Sequence, residues 1–397
     1  MKAGALLLAL FTLACAKQGV EALPSPAGPG AAEPFLFAAR DGVLLSWLEP
    51  VAGTDRVALR FSRHREGRWS APRTIVERND LFVNWADFPS IVEDAQGTLF
   101  AHWLQKSGAG TYAYDVRMAT SADGGATWGD SFLLNRDGTP SEHGFVSLVP
   151  LPGGGVAAAW LDGRNMQGGG DHEEHDAGDM TLRYATVDAS GAVHGDVALD
   201  ERTCECCATG MAVTARGPVV VYRDRSPEEV RDIAVVSRGA SGWSEPRPLR
   251  ADGWTINGCP VNGPQIDALG PHAVTAWFTA ANEQSRVYVA FSGDGGATFG
   301  NAVAVDDGKP LGRVDVVLLD EQTALVTWLE QTAAGAEIRA RRVPRNGKPA
   351  PAVKIADSDA ARAAGFTRIA RAGEHVWFSW TGQSGGSKQI HVARAQL

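Results

Sequence analysis

The sequence of 397 residues lacks two features that would indicate common classes of partner. It has no long run of Lys or Arg, and its net charge is −9 at pH 7. A nucleic-acid-binding surface needs a basic patch or stripe, so nucleic acid is not expected as a partner. Beyond residues 1–15 no apolar run approaches the length of about 18 residues that a transmembrane helix needs. We therefore expect no membrane-spanning segment.

The amino-terminal residues are typical of a targeting segment. Lys2 precedes an apolar run over residues 5–11, and the sequence Thr12-Leu13-Ala14-Cys15 resembles a bacterial lipobox. We expect residues 1–15 to be a signal peptide in which Cys15 is acylated, with ordinary signal cleavage as the alternative. Residues 16–34, rich in Pro, Gly and Ala, are expected to form a flexible tether. The predicted location is the bacterial periplasm or cell envelope, with a lipid anchor as the only membrane contact.

A regular repeat of short strands dominates the rest of the chain. Seven apolar stretches end in an aromatic residue, and successive aromatic residues lie 56, 57, 62, 55, 51 and 52 positions apart. Such a period is typical of a β-propeller with one four-stranded blade per repeat. The seven residues are Trp47, Trp103, Trp160, Tyr222, Trp277, Trp328 and Trp380.

Two segments carry a motif that specifies the kind of propeller. Residues 121–128 read Ser-Ala-Asp-Gly-Gly-Ala-Thr-Trp, and residues 292–299 repeat the pattern with Phe299 at the end. Both resemble the Asp-box of bacterial neuraminidase repeats (BNR repeats). The resemblance implies an all-β, sialidase-like propeller over residues 35–397, with seven four-stranded blades, or six if the last repeat merges with the first. The last repeat has three obvious strands, and we expect its outer strand to come from Ala31 to Pro34.

The propeller fold predicts which loops share a face. Loops after the second strands and connections between blades emerge together, opposite the Asp-box turns. On this face two segments are unusual: Cys204-Glu205-Cys206-Cys207 before the fourth blade, and residues 258–264, which contain Cys259, before the fifth. Since adjacent blades place these segments side by side, the four cysteines are expected to converge.

The chemistry of the four cysteines has three interpretations. An even number of cysteines in an exported protein favours structural disulfides, with Cys259 bonded to one of the other three. A thiolate site for copper or zinc and a redox-active pair are the alternatives. Nearby, His172 and His175 stand among carboxylates and could bind a divalent metal ion, or the segment could be a solvated flexible loop. A divalent or copper ion is therefore a possible cofactor.

The same face is rich in arginine. Arg164, Arg223, Arg225 and Arg231 could bind a carboxylate or sulfate, or could form ion pairs with Asp162, Asp224 and Asp232 inside the loops. We include three further residues of these loops as candidate ligand contacts, namely Trp254, Asn257 and Asn262.

Sialidase activity itself is not expected. The resemblance would imply an arginine in a Phe-Arg-Ile-Pro motif, but residues 87–90 read Asp-Phe-Pro-Ser, and the later blades contain only Tyr222 and Tyr288 as candidate nucleophiles. We predict a module that binds an acidic glycan or another small anion on the face of blades 3–5. One alternative is a sialidase-like glycoside hydrolase and the other is metal or redox handling at the cysteines. Candidate carboxylates for hydrolysis are Asp87, Asp162, Asp224 and Asp232.

Overall fold

A computed structural model describes residues 19–166, 178–384 and 386–396. The regular secondary structure of the described residues consists of β-strands and one 3₁₀ turn at Ala281–Glu283. No helix among these residues has the length and apolar character needed to cross a membrane. The strands are β1 (Val20–Leu23), β2 (Ala32–Ala39), β3 (Gly42–Pro50), β4 (Val57–Arg65), β5 (Arg68–Trp69), β6 (Arg73–Arg78), β7 (Ser90–Glu93), β8 (Leu99–Lys106), β9 (Tyr114–Ser121), β10 (Phe132–Leu133), β11 (His143–Pro150), β12 (Val156–Asp162), β13 (Met180–Val187), β14 (Val193–Thr203), β15 (Gly210–Thr214), β16 (Gly217–Arg223), β17 (Ile233–Gly239), β18 (Gly242–Trp243), β19 (Arg247–Pro248), β20 (Gln265–Leu269), β21 (His272–Thr279), β22 (Arg286–Ser292), β23 (Val303–Ala304), β24 (Pro310–Asp320), β25 (Thr323–Thr332), β26 (Gly335–Pro344), β27 (Val353–Ser358), β28 (Arg368–Ala372), β29 (His375–Ser384) and β30 (Ser387–Ala395).

These strands form seven antiparallel sheets, which are the seven blades of a β-propeller. Blades 2, 3, 5 and 6 use four consecutive strands each: β7–β10, β11–β14, β20–β23 and β24–β27. In blades 1 and 4 the outer strand is split into two short pieces, β5 with β6 and β18 with β19. The prediction of seven four-stranded blades is confirmed.

The regularly spaced aromatic residues occupy the second strand of every blade, where they are buried. Several of their indole N–H groups donate to a side chain two residues further along the strand. Trp160 Nε1 donates to Asp162 at 2.8 Å, and Trp47 Nε1 donates to Glu49 at the same distance. These aromatic residues therefore pack in the core of the ring while the polar atoms of six of them form hydrogen bonds, which explains the repeat in the sequence.

The ring closes through the amino-terminal strand. The seventh blade has the order β1-β30-β29-β28, and β1 pairs antiparallel with β30, with Val20 opposite Ala395. As expected, a segment from the amino-terminal side supplies the outer strand of the last blade, but the prediction of residues 31–34 for this strand was wrong. Residues 20–23, expected in a flexible tether, supply the outer strand, whereas Ala32 begins the inner strand β2 of blade 1. Pairing with β1 covers the edge of β30 and joins the amino-terminal end of the propeller to its last blade.

The turn after β9 shows why its residues recur. Asp123 accepts hydrogen bonds from the backbone N–H of Thr127 at 2.9 Å and from the Thr127 hydroxyl at 2.7 Å. Gly124 and Gly125 have φ values of 70° and 83°, a region that glycine adopts without strain. Asp294 makes the same bonds to Thr298 in the fifth blade. These turns lie on the lower face of the ring.

The opposite, upper face carries the connections between blades and the loops after second strands. Beneath it, six inner strands and residues 86–88 line a cavity of about 280 Å³ on the propeller axis. Apolar side chains share the lining with polar groups, which include the side chains of Asp87, Asp267, Asp315 and Arg368. The candidate functional residues therefore have to be sought on the upper face, above this cavity.

Candidate functional site

Two connections on the upper face bring the four cysteines together, as expected. Cys204, Cys206 and Cys207 follow β14, and Cys259 lies in the connection from β19 to β20. The two segments are in close contact at Gly263, where a Cβ atom would lie 1.9 Å from the backbone oxygen of Ala208. Glycine is therefore required here, because any side chain would push the two cysteine-bearing segments apart.

The four cysteines, which we call the thiol cluster, are free thiols in the structure. The Sγ atom of Cys204 lies 3.5 Å from that of Cys207 and 3.8 Å from that of Cys206. A disulfide requires about 2.05 Å between the sulfur atoms. The expected bridge between Cys259 and one of the other three is therefore absent from the described residues. Cys259 instead approaches Cys206 closely enough for their thiols to share a hydrogen bond.

The charge states of the thiol cluster differ from one sulfur to the next. Burial raises the pKa of Cys204 to about 11. Although burial opposes ionisation of Cys207 as well, hydrogen bonds from Cys204 and Cys206 and the nearby Arg223 guanidinium bring its pKa well below the usual value. A hydrogen bond from Cys206 likewise lowers the pKa of Cys259. The cluster is thus able to hold negative charge at neutral pH.

Three of the four predicted anion-binding arginines are already paired with carboxylates. Arg225 forms ion pairs with Glu205 and with Glu229, the latter at 2.8 Å. Arg231 contacts Glu229 at 2.8 Å and Glu205 at 3.1 Å, and it also donates to the Cys204 sulfur at 3.3 Å. Ion pairing was one of the two expectations, but the partners are these glutamates rather than Asp224 and Asp232. Arg164 does pair with Asp162, at 2.7 Å.

Arg223 is buried among backbone carbonyl groups. Its guanidinium donates to the backbone oxygens of Asn262, Arg231 and Phe278, at distances between 2.6 and 3.2 Å. It also lies 4.7 Å from the centre of the Trp254 ring. Both Arg223 and Trp254 are thus packing residues, and neither is available to a ligand on the surface.

Asn262 connects the thiol cluster to blade 6. Its side-chain oxygen accepts hydrogen bonds at 2.9 Å from the backbone N–H and from the guanidinium of Arg313. Arg313 is buried, and its other acceptors are backbone oxygens of Val261 and Arg362. Asn257, by contrast, is exposed on the surface of the same connection.

The candidate catalytic carboxylates do not form one constellation. Asp162 is buried between Trp160 and Arg164, within 3.6 Å of His143. Asp232 accepts backbone N–H groups of Gly253 and Trp254 at 2.8 and 2.9 Å, which is a structural use of its oxygens. Burial raises the pKa of Asp224 to about 6, with a further contribution from Asp200.

A second buried group of acids lies below the thiol cluster and was not anticipated. Burial raises the pKa of Asp87 to about 7 and that of Glu142 to about 8, and the nearby carboxyl group of Asp87 contributes to the increase at Glu142. The Tyr114 hydroxyl donates to Glu142 at 2.7 Å. Tyr114 and Glu142 are 28 residues apart on separate blades, so no local sequence pattern indicated this pair.

Residues from the first and sixth connections meet across the axis above the cavity. The Arg362 guanidinium lies 5.8 Å from the centre of the Trp85 ring and donates to the backbone oxygen of Cys259 at 2.6 Å. Phe366 packs 5.8 Å from Trp85, and Arg313 lies 4.5 Å above the Phe366 ring. We call Trp85, Arg313, Arg362 and Phe366 the axial group. No local sequence pattern indicates that these segments converge, so the axial group was not predicted.

Three predicted residues lie outside the described part of the chain. They are Cys15, His172 and His175. Among the described residues, Asp137, His143 and Asp162 bring three ligand-type atoms close together, as do Cys204, Cys206 and Cys207. The former set is already engaged by the Arg164 ion pairs, whereas the latter is not bonded to any carboxylate partner.

No family model matches the sequence, and no curated protein matches it. Among solved structures, a PL25 ulvan lyase, a polysaccharide lyase, aligns with a TM-score of 0.58 at 13% identity, over 93% of this chain and 95% of its own. The same kind of lyase bound to GlcA(1-4)Rha3S aligns with a TM-score of 0.50 at 12% identity, over 80% of this chain and 79% of its own. The NanB sialidase from Streptococcus pneumoniae aligns with a TM-score of 0.50 at 12% identity, over 94% of this chain and 70% of its own. By its fold, the chain is a sialidase-like β-propeller.

A microbial sialidase, Hz136, also matches, at 14% identity over 75% of this chain with a TM-score of 0.46, and the sialidase-like propeller spans 63% of its length. Sialidase chemistry would need a tyrosine activated by a glutamate, and the Tyr114–Glu142 pair has those residue types. However, Tyr114 is fully buried and stacks on Phe82 with ring centres 4.0 Å apart. No substrate reaches its hydroxyl in this structure, so the pair does not provide an accessible nucleophile.

Proposed function

We propose that the sialidase-like propeller is a binding module for an acidic glycan, which it takes up on the upper face at the axial group. This group is supplied by blade 6 and by the connections before blades 2 and 7, whereas the sequence predicted a site on blades 3–5. The observation that carries the proposal is Arg362. This arginine is exposed, stands over the ring of Trp85, and makes no ion pair with a carboxylate of the described residues. A guanidinium of this kind is suited to bidentate binding of a carboxylate or sulfate.

The surroundings of Arg362 support a sugar as the ligand. Trp85 and Phe366 are only partly buried, and their flat apolar faces can contact a sugar ring beside the charged group. The ulvan lyase of the same fold binds a glucuronate linked to a sulfated rhamnose, a ligand that carries two anionic groups. In this proposal, Arg362 replaces Arg225 and Arg231 as the anion-binding group, because the glutamates already neutralise those two.

We further propose that the protein is exported and held at the cell envelope by a lipid on Cys15. The lipobox-like sequence at residues 12–15 supports this location. Globomycin treatment, which blocks lipoprotein signal peptidase, tests it: the full chain should accumulate as a larger precursor, and Cys15→Ala should be released from the membrane fraction. A Cys15→Ala chain that stays in the membrane fraction would argue against the anchor.

The glycan proposal is tested by calorimetry with uronic-acid and sulfated oligosaccharides chosen from a glycan array. We expect saturable binding without product formation, weakened by about 10–100-fold in Arg362→Gln, as a charged hydrogen bond of about 1.5–3 kcal/mol predicts. Arg394→Gln is the matched control. Arg394 lies 5.9 Å from the Trp377 ring, a similar arrangement, but it is paired with Glu21.

Two outcomes would contradict the proposal. The first is an absence of binding to any acidic glycan, and the second is equal loss of affinity in Arg362→Gln and Arg394→Gln. Release of a shortened sugar that disappears in Asp224→Asn would favour the glycoside hydrolase alternative instead.

A further inference from the structure

The thiol cluster has a geometry that the glycan proposal does not use. Cys204 and Cys207 are almost fully buried, and their sulfurs lie with that of Cys206 at separations of 3.5 and 3.8 Å from Cys204. A tetrahedral site with metal–sulfur bonds of about 2.3 Å has sulfur–sulfur edges of about 3.8 Å. The spacing of these three sulfurs fits ligands around one ion and is much longer than a disulfide bond. Cys259 lies next to Cys206, outside the group of three sulfurs that are all within 4.8 Å of one another, and would be the fourth ligand.

The charges around the thiol cluster lead to the same conclusion. Arg225 and Arg231 are balanced by Glu205 and Glu229. Arg223 is buried, its acceptors among the described residues are backbone carbonyl groups, and it acts electrostatically on the Cys207 sulfur. A buried charge without a counter-charge is strongly unfavourable.

Arg313 is the second such cation. It too is buried, its acceptors are the Asn262 side-chain oxygen and backbone oxygens, and it acts on the same Cys207 sulfur. Within the described residues no carboxylate forms an ion pair with Arg223 or with Arg313. Two positive charges therefore face the cluster without compensation.

We propose that Cys204, Cys206, Cys207 and Cys259 bind one thiophilic metal ion, Zn²⁺ or Cu⁺, on the upper face between blades 3, 4 and 5. Zn²⁺ held by four thiolates, or Cu⁺ held by three, leaves two net negative charges, which Arg223 and Arg313 neutralise. Cys206 and Cys259 are only partly buried, so an ion can reach the cluster from the solvent. The metal site lies beside the axial group and shares Arg313 with it, but the metal proposal does not rest on the binding of a glycan there.

The direct test uses the full-length chain carrying Cys15→Ser, so that the four cluster cysteines are the only ones. The protein is exported, purified without chelators, and analysed for metal content by mass spectrometry and for free thiols in denaturant. We expect about one metal ion per chain and four titratable thiols once the metal is removed. No metal, together with two disulfides, would overturn the proposal without the need for any cluster variant.

Variants locate the ion. Cys206→Ser and Cys259→Ser each remove one partly exposed ligand and should weaken the binding of Zn²⁺ by at least 100-fold, with the fold checked by circular dichroism. The double variant Cys206→Ser/Cys259→Ser leaves two sulfurs, which are too few for either ion, and should lose Cu⁺ as well. Arg164→Gln is the matched control, because it changes a half-buried arginine of the same face that pairs with Asp162. Metal content that is unchanged in the double variant would place the ion elsewhere and contradict the proposal.

Two further measurements distinguish the two ions. Replacement by Co²⁺ should give thiolate-to-cobalt charge-transfer absorption with the intensity of a tetrahedral complex if four sulfurs bind, as Zn²⁺ prefers. Competition with a Cu⁺-specific chelator should show tight Cu⁺ binding that survives loss of one cysteine if three sulfurs suffice. Failure of both measurements would count against a thiolate metal site, whereas the glycan assays would be unaffected.

Discussion

At the scale of single residues, the buried acids Asp87 and Glu142 show how burial changes the charge state of a group. Glu142 faces Tyr114, Asp87, Glu205 and Cys259, and burial is the main reason why its pKa rises to about 8. Asp87 is influenced by the Phe145 backbone N–H and by Arg368, yet its pKa still rises to about 7. Both groups are therefore largely protonated in the folded protein at pH 6, whereas both would be ionised in the unfolded chain.

This difference predicts a pH-dependent stability. Because the folded pKa values lie above the unfolded ones, the folded state holds more protons, and the free energy of unfolding falls as pH rises from about 4 to about 8. Each group contributes up to about 1.4 kcal/mol per pH unit within that window. Glu142→Gln keeps an acceptor for the Tyr114 hydroxyl and should make the decline shallower.

Urea denaturation at a series of pH values measures this slope. Asp55→Asn serves as the control, since Asp55 is exposed on the β3–β4 loop. An identical slope in the unsubstituted protein, Glu142→Gln and Asp55→Asn would show that Glu142 is not protonated in the folded state.

The residues of the candidate site show what a sequence can and cannot predict. The convergence of Cys204, Cys206, Cys207 and Cys259 followed from strand counting, because adjacent connections must lie side by side. The ion pairs of Arg225 and Arg231 with Glu205 and Glu229 did not follow, because several carboxylates were near in sequence and only distances select among them. Tyr114 and Arg362 were missed because their partners come from other blades.

At the scale of elements, β1 is the strand on which ring closure depends. It has four residues, and its partner β30 is the last strand of the propeller. Composition predicted a tether here, because prolines and the glycines Gly28 and Gly30 follow the strand. Four residues are also too few to show a clear alternation of apolar and polar side chains. The pairing is decided by the unpaired edge of β30 rather than by any property of residues 20–23 alone.

Proline in β1 should open this closure. In an antiparallel pair, alternate residues donate their backbone N–H to the partner strand. One of the two substitutions Glu21→Pro and Ala22→Pro therefore removes a hydrogen bond to β30, and both disturb the strand. We expect the melting temperature to fall by roughly 2–4 °C for each kcal/mol lost. Differential scanning fluorimetry measures it, with Glu21→Ala as the control that keeps the backbone N–H. Equal melting temperatures for all three variants would mean that β1 does not hold the ring closed.

At the scale of the whole molecule, the propeller could be predicted because the same sequence pattern occurs in every blade. Seven buried aromatic residues on second strands give the blade count, and each reinforces the others. The upper face has no such repetition, since each connection differs in length and composition. The fold, and the face on which each type of loop lies, could therefore be predicted from the sequence. The axial group and the arrangement of charges around the thiol cluster are known only from the structure.

The proposed metal ion would also stabilise the whole ring. It would join the connection before blade 4 to the connection before blade 5, and the ligands come together only in the folded state. An ion that binds only that state stabilises it by about 2.7 kcal/mol at a free concentration 100 times its dissociation constant. A strong chelator should thus lower the melting temperature of the Cys15→Ser chain and of its Arg164→Gln variant, and added metal should restore both. The double variant Cys206→Ser/Cys259→Ser should melt at the lower temperature with or without chelator. If the chelator shifts this double variant as much as the parent chain, the stabilising ion does not bind at the thiol cluster.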